Sequence, residues 1–141
     1  TGVVAAIAPN ESSLLGLVSI IAPAIAGGNS IVILASELFP LCAISFAEVL
    51  QTSDVPAGVI NILTGYRHEL VKHFSSHMDV NAIIYCGENK EEILQVETQA
   101  AFNVKHAIIY TNENWKKESA QGPYNIMKTQ ETKTTWHPIG I

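Results

Sequence analysis

Hydrophobic residues along this chain alternate between two spacings. Five short, nearly unbroken apolar runs occur at 2–8 (GVVAAIA), 30–34 (SIVIL), 59–63 (VINIL), 81–86 (NAIIYC) and 106–111 (HAIIYT). Runs this short and rich in β-branched residues predict strands covered on both faces. Between them, apolar positions recur every three or four residues, which predicts helices. Ser12 or Ser13 can cap the first helix, and Gly27 and Gly28 can stop it. Pro40 opens the second at a place where its missing N–H costs little, with Leu41, Ile44, Ala47 and Leu50 as its apolar side. A third helix over 67–76 turns Leu70, Val71 and Phe74 inward, and a fourth within 88–101 sets Ile93, Val96 and Ala100 on one face. Strands alternating with helices through short loops predict an α/β fold. The expected architecture is an open parallel sheet of about five strands, of Rossmann type, with helices on both faces.

One run could change that picture. From Leu14 the chain carries no charge until Glu37, a length at which a transmembrane helix is normally considered. Pro23 interrupts it, Gly27-Gly28-Asn29 breaks it, and Ser30–Leu34 is β-branched. Basic residues are missing from its flanks as well. It therefore divides into a helix, a turn and a buried strand, and no membrane association is expected. At 141 residues and 48% hydrophobic, the chain can build one domain with a real core but not two. A net charge of −5 with scattered lysines excludes a nucleic-acid footprint. Cys42 and Cys86 form neither metal spacing nor a disulfide framework, which points to a reducing compartment, the cytoplasm. The first residues lack a basic leader, and Thr1 suggests a piece of something longer.

Beyond Thr111 the composition shifts. Residues 112–127 are polar and contain Gly122-Pro123, which predicts a linker or crossing loop. Residues 128–141 set Thr132, Thr134 and Trp136 against Lys133 and Thr135, a β-prone extension strand suited to pairing outside its own sheet.

The blocks GVVAAIAP, IAPAIAGGNSIVILASE, VPAGVINILTGY, SSHMDVNAIIYCG and NVKHAII carry a family likeness. In this order and spacing they resemble the cofactor-binding domain of the aldehyde dehydrogenase superfamily over residues 1–111. The ending QETKTTWHPIG is similar to that superfamily's last, oligomerisation-arm strand. In the superfamily a catalytic domain with the nucleophilic cysteine lies between the two, whereas only the short polar stretch after Thr111 bridges the gap here. The chain thus most resembles the truncated second half of a family sixteen aldehyde dehydrogenase.

The resemblance implies site positions, and most of them are altered. The family's Pro-Trp-Asn-Phe-Pro, whose Asn supports an oxyanion, is here Pro9-Asn10-Glu11-Ser12-Ser13. A carboxylate at Glu11 opposes a developing oxyanion, so Glu11 reads as part of a helix-start loop. The family's ribose-gripping Lys-Pro-Ser-Glu is Leu34-Ala35-Ser36-Glu37; Glu37 survives, and it also reads as a solvated loop carboxylate. Gly-Phe-Gly has become Gly65-Tyr66-Arg67, so Arg67 either contacts a phosphate or, as we expect, fills or covers the groove. The family's pyrophosphate helix opens with Phe-Thr-Gly-Ser, and here with Tyr85-Cys86-Gly87-Glu88. Glu88, Glu91 and Glu92 are expected to satisfy that helix's positive end from within the chain. Tyr110 stands in place of the family's general-base Glu, with Asn112 and Glu113 replacing the glycines after it.

Cys86 near a helix start could be a nucleophile, but the nearby glutamates and the lack of a base favour a buried structural thiol. His73 and His77 are spaced to bind a metal, yet no third ligand is evident and a solvated face is expected; His106 and His137 have no evident partner. No metal is expected. For a cofactor, Glu37, Gly65 and Gly87 are what remains, so none is expected, with NAD the possible one. The preferred expectation is a non-catalytic, pseudoenzyme domain kept for structure and association. Its partners would be the catalytic half of the parent chain, a second subunit, or both, through the strand around Trp136. The alternative is an NAD-binding component of an aldehyde-oxidising enzyme whose catalytic residues lie elsewhere in the parent protein.

Overall fold

The two strands that meet at the middle of the sheet come from distant parts of the chain. A computed structural model describes residues 2–138. Its elements run β1 (Val3–Ile7), α1 (Leu15–Ala26), β2 (Ser30–Leu34), α2 (Leu41–Gln51), β3 (Ile60–Leu63), α3 (Arg67–Ser76), β4 (Ala82–Cys86), α4 (Lys90–Phe102) and β5 (His106–Tyr110). Two 3-10 turns follow, Glu118–Gln121 and Pro123–Thr129. The five strands form one parallel sheet in the order β3-β2-β1-β4-β5. The chain winds outward from β1 to β3, then crosses to β4 and winds the other way. Where the direction reverses, between β1 and β4, the loops at the strand C-termini diverge and leave a crevice.

The absence of alternation in the strands has a direct cause. Val4 and Ala6 of β1 face one layer with α1, Ile31, Ile33 and Ile84; Ala5 and Ile7 face the other, with Val71 and Phe74 of α3 and Val96 and Ala100 of α4. Both faces are covered, so polar positions have no place. Each fully buried Ile, Leu or Val stabilises the fold by about 1.5–3 kcal/mol relative to exposure. The uncharged run is divided between α1 and β2 by a turn in which Gly28 adopts φ +78°, and among the described residues no helix is long and apolar enough to cross a membrane.

Two local expectations need correction. Neither Ser12 nor Ser13 caps α1: the N-cap is Leu14 without a side-chain bond, and the Ser12 carbonyl accepts from Gly16 N–H at 2.8 Å in a preceding turn. On α2 the inward residues are Ala43 and Phe46, with Ala47 and Leu50 half-buried, while Leu41 and Ile44 are 74% and 48% exposed. A strict three-residue spacing drifts about 60° per step around a helix, whereas 43, 46, 47 and 50 share one face.

The segment after β5 lies against the sheet layer that holds α1. Trp115 is 5% exposed and stacks obliquely on Tyr110, with ring centroids 5.2 Å apart. Gln121 Nε2 donates to Ser19 Oγ on α1 at 2.8 Å and to the Trp115 carbonyl at 2.6 Å. Buried Asn29 joins the start of β1 to this strap: its Oδ1 accepts from Gly2 N–H at 2.9 Å, and its Nδ2 donates to Thr129 Oγ1 at 3.2 Å. The expected extension strand over 128–141 is not a strand of this sheet. Lys128 and Thr129 end the second 3-10 turn, and 130–138 has no regular structure. A strand needs a ladder partner, and among the described residues none forms a β-ladder with this tail, which is held near its start by Gln130 at Gly27 and Glu131 beside His106; residues 139–141 lie outside the described residues.

Replacing Trp115 with Ala is therefore expected to lower unfolding free energy by about 3 kcal/mol, read by denaturant titration. Ending the chain at Glu131 is expected to leave that midpoint in place. An unchanged midpoint in Trp115→Ala would show that the strap contributes nothing to the fold.

Candidate ligand crevice

Above the C-terminal ends of β1, β4 and β5 lies a concavity of about 850 Å³, with Glu11, Arg67, Gly87, Glu88, Tyr110 and Trp115 in its wall. It sits at the reversal point between β1 and β4, where open α/β sheets place ligands.

Arg67 occupies the bottom of this crevice. Tyr66 takes an extended conformation (φ −94°, ψ 135°), so α3 begins at Arg67 and aims its side chain back over the strand ends. The Arg67 backbone N–H donates to Glu37 Oε2 at 3.2 Å. Its guanidinium donates to the Ala8 carbonyl at 3.3 Å, just beyond β1, and to the Cys86 carbonyl at the end of β4. The same group lies over the Tyr85 ring, 5.2 Å from its centroid, with Nε 3.9 Å from Glu92 Oε2. Glu92 also accepts the Tyr85 hydroxyl at 2.6 Å. The Arg67 and Glu92 side chains are only 12% and 18% exposed. At 3.9 Å the ion pair is long, so the hydrogen bonds to two carbonyls do more to hold the arginine than Coulomb attraction does. A Cβ added to Gly87 would stand 2.7 Å from Arg67 Nη2 and 2.9 Å from the Tyr85 hydroxyl. The place a side chain at Gly87 would take is thus already occupied by Arg67 and Tyr85, while Gly87 still lines the open crevice.

The remaining expected site residues are not brought into one constellation. Glu37 is tied into a loop junction: Asn10 Oδ1 accepts its N–H at 3.0 Å and the Ser36 hydroxyl at 3.3 Å, while its carboxylate holds the start of α3. Leu34 is wholly buried in the core. A Cβ on Gly65 would meet only Leu70 Cδ1 at 3.6 Å, an ordinary contact, so no close approach requires glycine there. Glu11 and Glu88 are exposed at the crevice rim. The start of α4 is not satisfied by Glu88, Glu91 and Glu92 as expected. Asn89 caps it, accepting from Glu91 N–H at 3.0 Å and Glu92 N–H at 3.4 Å, and Glu92 turns away to Tyr85 and Arg67. Asn10 and Asn89 were missed as organisers of the site. An Asn shortly before paired glutamates is a capping signal legible in the sequence, whereas the Asn10 contact joins two loops that follow different strands. The Tyr110 hydroxyl accepts from Lys128 Nζ at 3.0 Å.

His73 is exposed on α3 and His77 is exposed just past its end, in an extended conformation, and among the described residues no group of three or more His, Cys, Asp or Glu could hold a metal. His106 lies 3.4 Å from Glu131 on the strap, and His137 is exposed in the tail.

Protonation follows from burial. Desolvation first, then the bond to Glu92, pushes the Tyr85 phenol from 10.0 up to about 12 against the pull of Arg67. Burial pushes the Cys86 thiol from 9.0 up to about 12, with Glu113 adding and Arg67 opposing. A thiol so placed stays protonated at neutral pH and is no nucleophile. Both groups hold their protons longer folded than unfolded. Stability is therefore full below about pH 9 and falls as pH rises toward 12, which urea titrations across that window will read. With a maleimide at about pH 8, exposed Cys42 is expected to react and buried Cys86 to wait for unfolding; two rapid additions to the folded chain would contradict this placement.

Comparison with known proteins sets this geometry in a family. The family model described as "Aldehyde dehydrogenase family" matches residues 1–112. The chain is 39% identical over 89 residues to the NADP/NAD-dependent aldehyde dehydrogenase PuuC of Escherichia coli, covering 63% of this chain and 18% of that protein. It is 35% identical over 108 residues to an aldehyde dehydrogenase of Agaricus bisporus, covering 77% and 22%. Among solved structures it is similar to a mutant Pseudomonas syringae aldehyde dehydrogenase C in complex with NAD+ and octanal. That match has a TM-score of 0.74 and 34% identity, and covers 78% of this chain and 22% of that one. The chain thus spans about a fifth of the length of these relatives. The five-stranded parallel sheet and the matched residues agree, and the chain belongs to the aldehyde dehydrogenase family.

Proposed function

We propose that this chain is a non-catalytic part of an aldehyde dehydrogenase family protein, kept for structure and association rather than chemistry. The observation that carries the reading is Arg67, whose guanidinium packs against Gly87 in the crevice wall and takes up the carbonyls of Ala8 and Cys86. These residues do not fit a bound dinucleotide. A pyrophosphate needs free N–H donors, and Asn89 already engages the first ones of α4. Glu11 and Glu88 at the rim add repulsion for an anion. The protonated Cys86 thiol and the Lys128-bound Tyr110 supply neither nucleophile nor base.

For association, the tail is the candidate element. Trp136 is 84% exposed on a segment with β-prone alternation, which suits strand addition to the catalytic half of the parent chain or to a second subunit. Two unpaired cysteines support a reducing compartment, the cytoplasm in this reading.

The second reading, an NAD-binding component whose catalytic residues lie elsewhere in the parent protein, draws on structural relatives solved with NAD+. Calorimetric titration of the chain with NAD, with NADH and AMP alongside, separates the two. No saturable heat at millimolar NAD is expected; micromolar binding would overturn the first reading in favour of the second.

A further inference from the structure

Arg67 is the only arginine in the chain, and its side chain is largely enclosed at the reversal point of the sheet. The groups it bonds and stacks on are acceptors and a π face: the carbonyls of Ala8 and Cys86, the carboxylate of Glu92 and the ring of Tyr85. The Tyr85 proton is directed to Glu92, so it does not serve an incoming anion. Gly87 leaves the room that a planar group needs, since any Cβ there would collide with Nη2. A guanidinium meets all of this at once, with donors forked in one plane and a face for the tyrosine. An ammonium is a point charge and cannot span carbonyls on two separate strands while stacking on the ring.

We propose that the bottom of the crevice is a guanidinium seat built by the fold and occupied in cis, with Arg67 as the plug that forms the crevice floor. The plug closes the joint between β1 and β4, and a ligand that enters this seat must displace the first residue of α3, while the crevice of about 850 Å³ above it stays open. The proposal deepens the non-catalytic reading, whose support is that same arginine, but it is separable from it. A plugged seat fixes what the site would accept when opened, namely an alkylguanidinium and not a phosphate.

Two measurements test it. In the Arg67→Ala chain, millimolar methylguanidinium is expected to raise the melting temperature saturably by about 3 °C, while methylammonium does nothing and the wild type does not respond. Equal responses of variant and wild type, or of the two cations, would overturn the seat. Independently of whether that variant folds, phenylglyoxal is expected to modify the native wild-type arginine about 100-fold more slowly than the urea-unfolded chain, read by intact mass. Rapid modification of the native chain would overturn the plug. If both measurements succeed and NAD nevertheless binds the wild type at micromolar concentration, the seat stands and the non-catalytic reading falls.

Discussion

Five parts of this fold converge on one arginine. Arg67 begins α3, reaches carbonyls at the ends of β1 and β4, lies beside Glu92 of α4, and through its own N–H fixes Glu37 in the loop after β2. The position matters because the sheet is weakest there in connectivity. No loop joins β1 to β4 directly, and the strand ends would otherwise present unpaired carbonyls to an open cleft. A buried charge is costly unless it is paired and hydrogen-bonded, and here both conditions are met by residues drawn from separate elements. The same contacts that repair the joint place Arg67 in the floor of the crevice, whose roughly 850 Å³ stays open above it.

The second constraint is a sheet face that needs cover. A parallel sheet buries both sides, and α1 with α2 leaves part of one side incomplete because α2 turns only a narrow face inward. The strap after β5 completes it with Trp115 and Ala120, and Gln121, Asn29 and Thr129 pin the strap to α1 and to the start of β1. The chain thereby closes its own core, while Trp136 in the tail stays exposed.

The strands and the ends of α3 were legible in the sequence because they follow from local composition: an apolar run too short for a helix, or a three-to-four spacing. That Arg67 stands at the groove was legible from the family resemblance, in which it replaces the second glycine of Gly-Phe-Gly; the structure places it in the wall of an open crevice. Its partners were not, since Glu92 belongs to the next helix and Ala8 to the far end of the first strand, and nothing local signals such meetings. The inward face of α2 was misjudged by counting threes, which a helix does not keep in line. Polar segments also mislead: residues 112–127 read as a linker although they carry a buried tryptophan, because one large apolar anchor can hold a stretch that is otherwise hydrophilic. The direction taken by Glu92 depended on Tyr85 across the crevice, a contact no helix-end rule contains.

The most direct measurement on the central claim is the 15N–1H resonance of the single arginine Nε, followed in the folded chain while NAD or pyrophosphate is added. The account predicts one slowly exchanging Nε–H signal, shifted from its unfolded position and unmoved by either ligand. A fast-exchanging signal, or one that shifts saturably with the phosphate compounds, would mean that Arg67 clamps a ligand instead of the fold's own carbonyls.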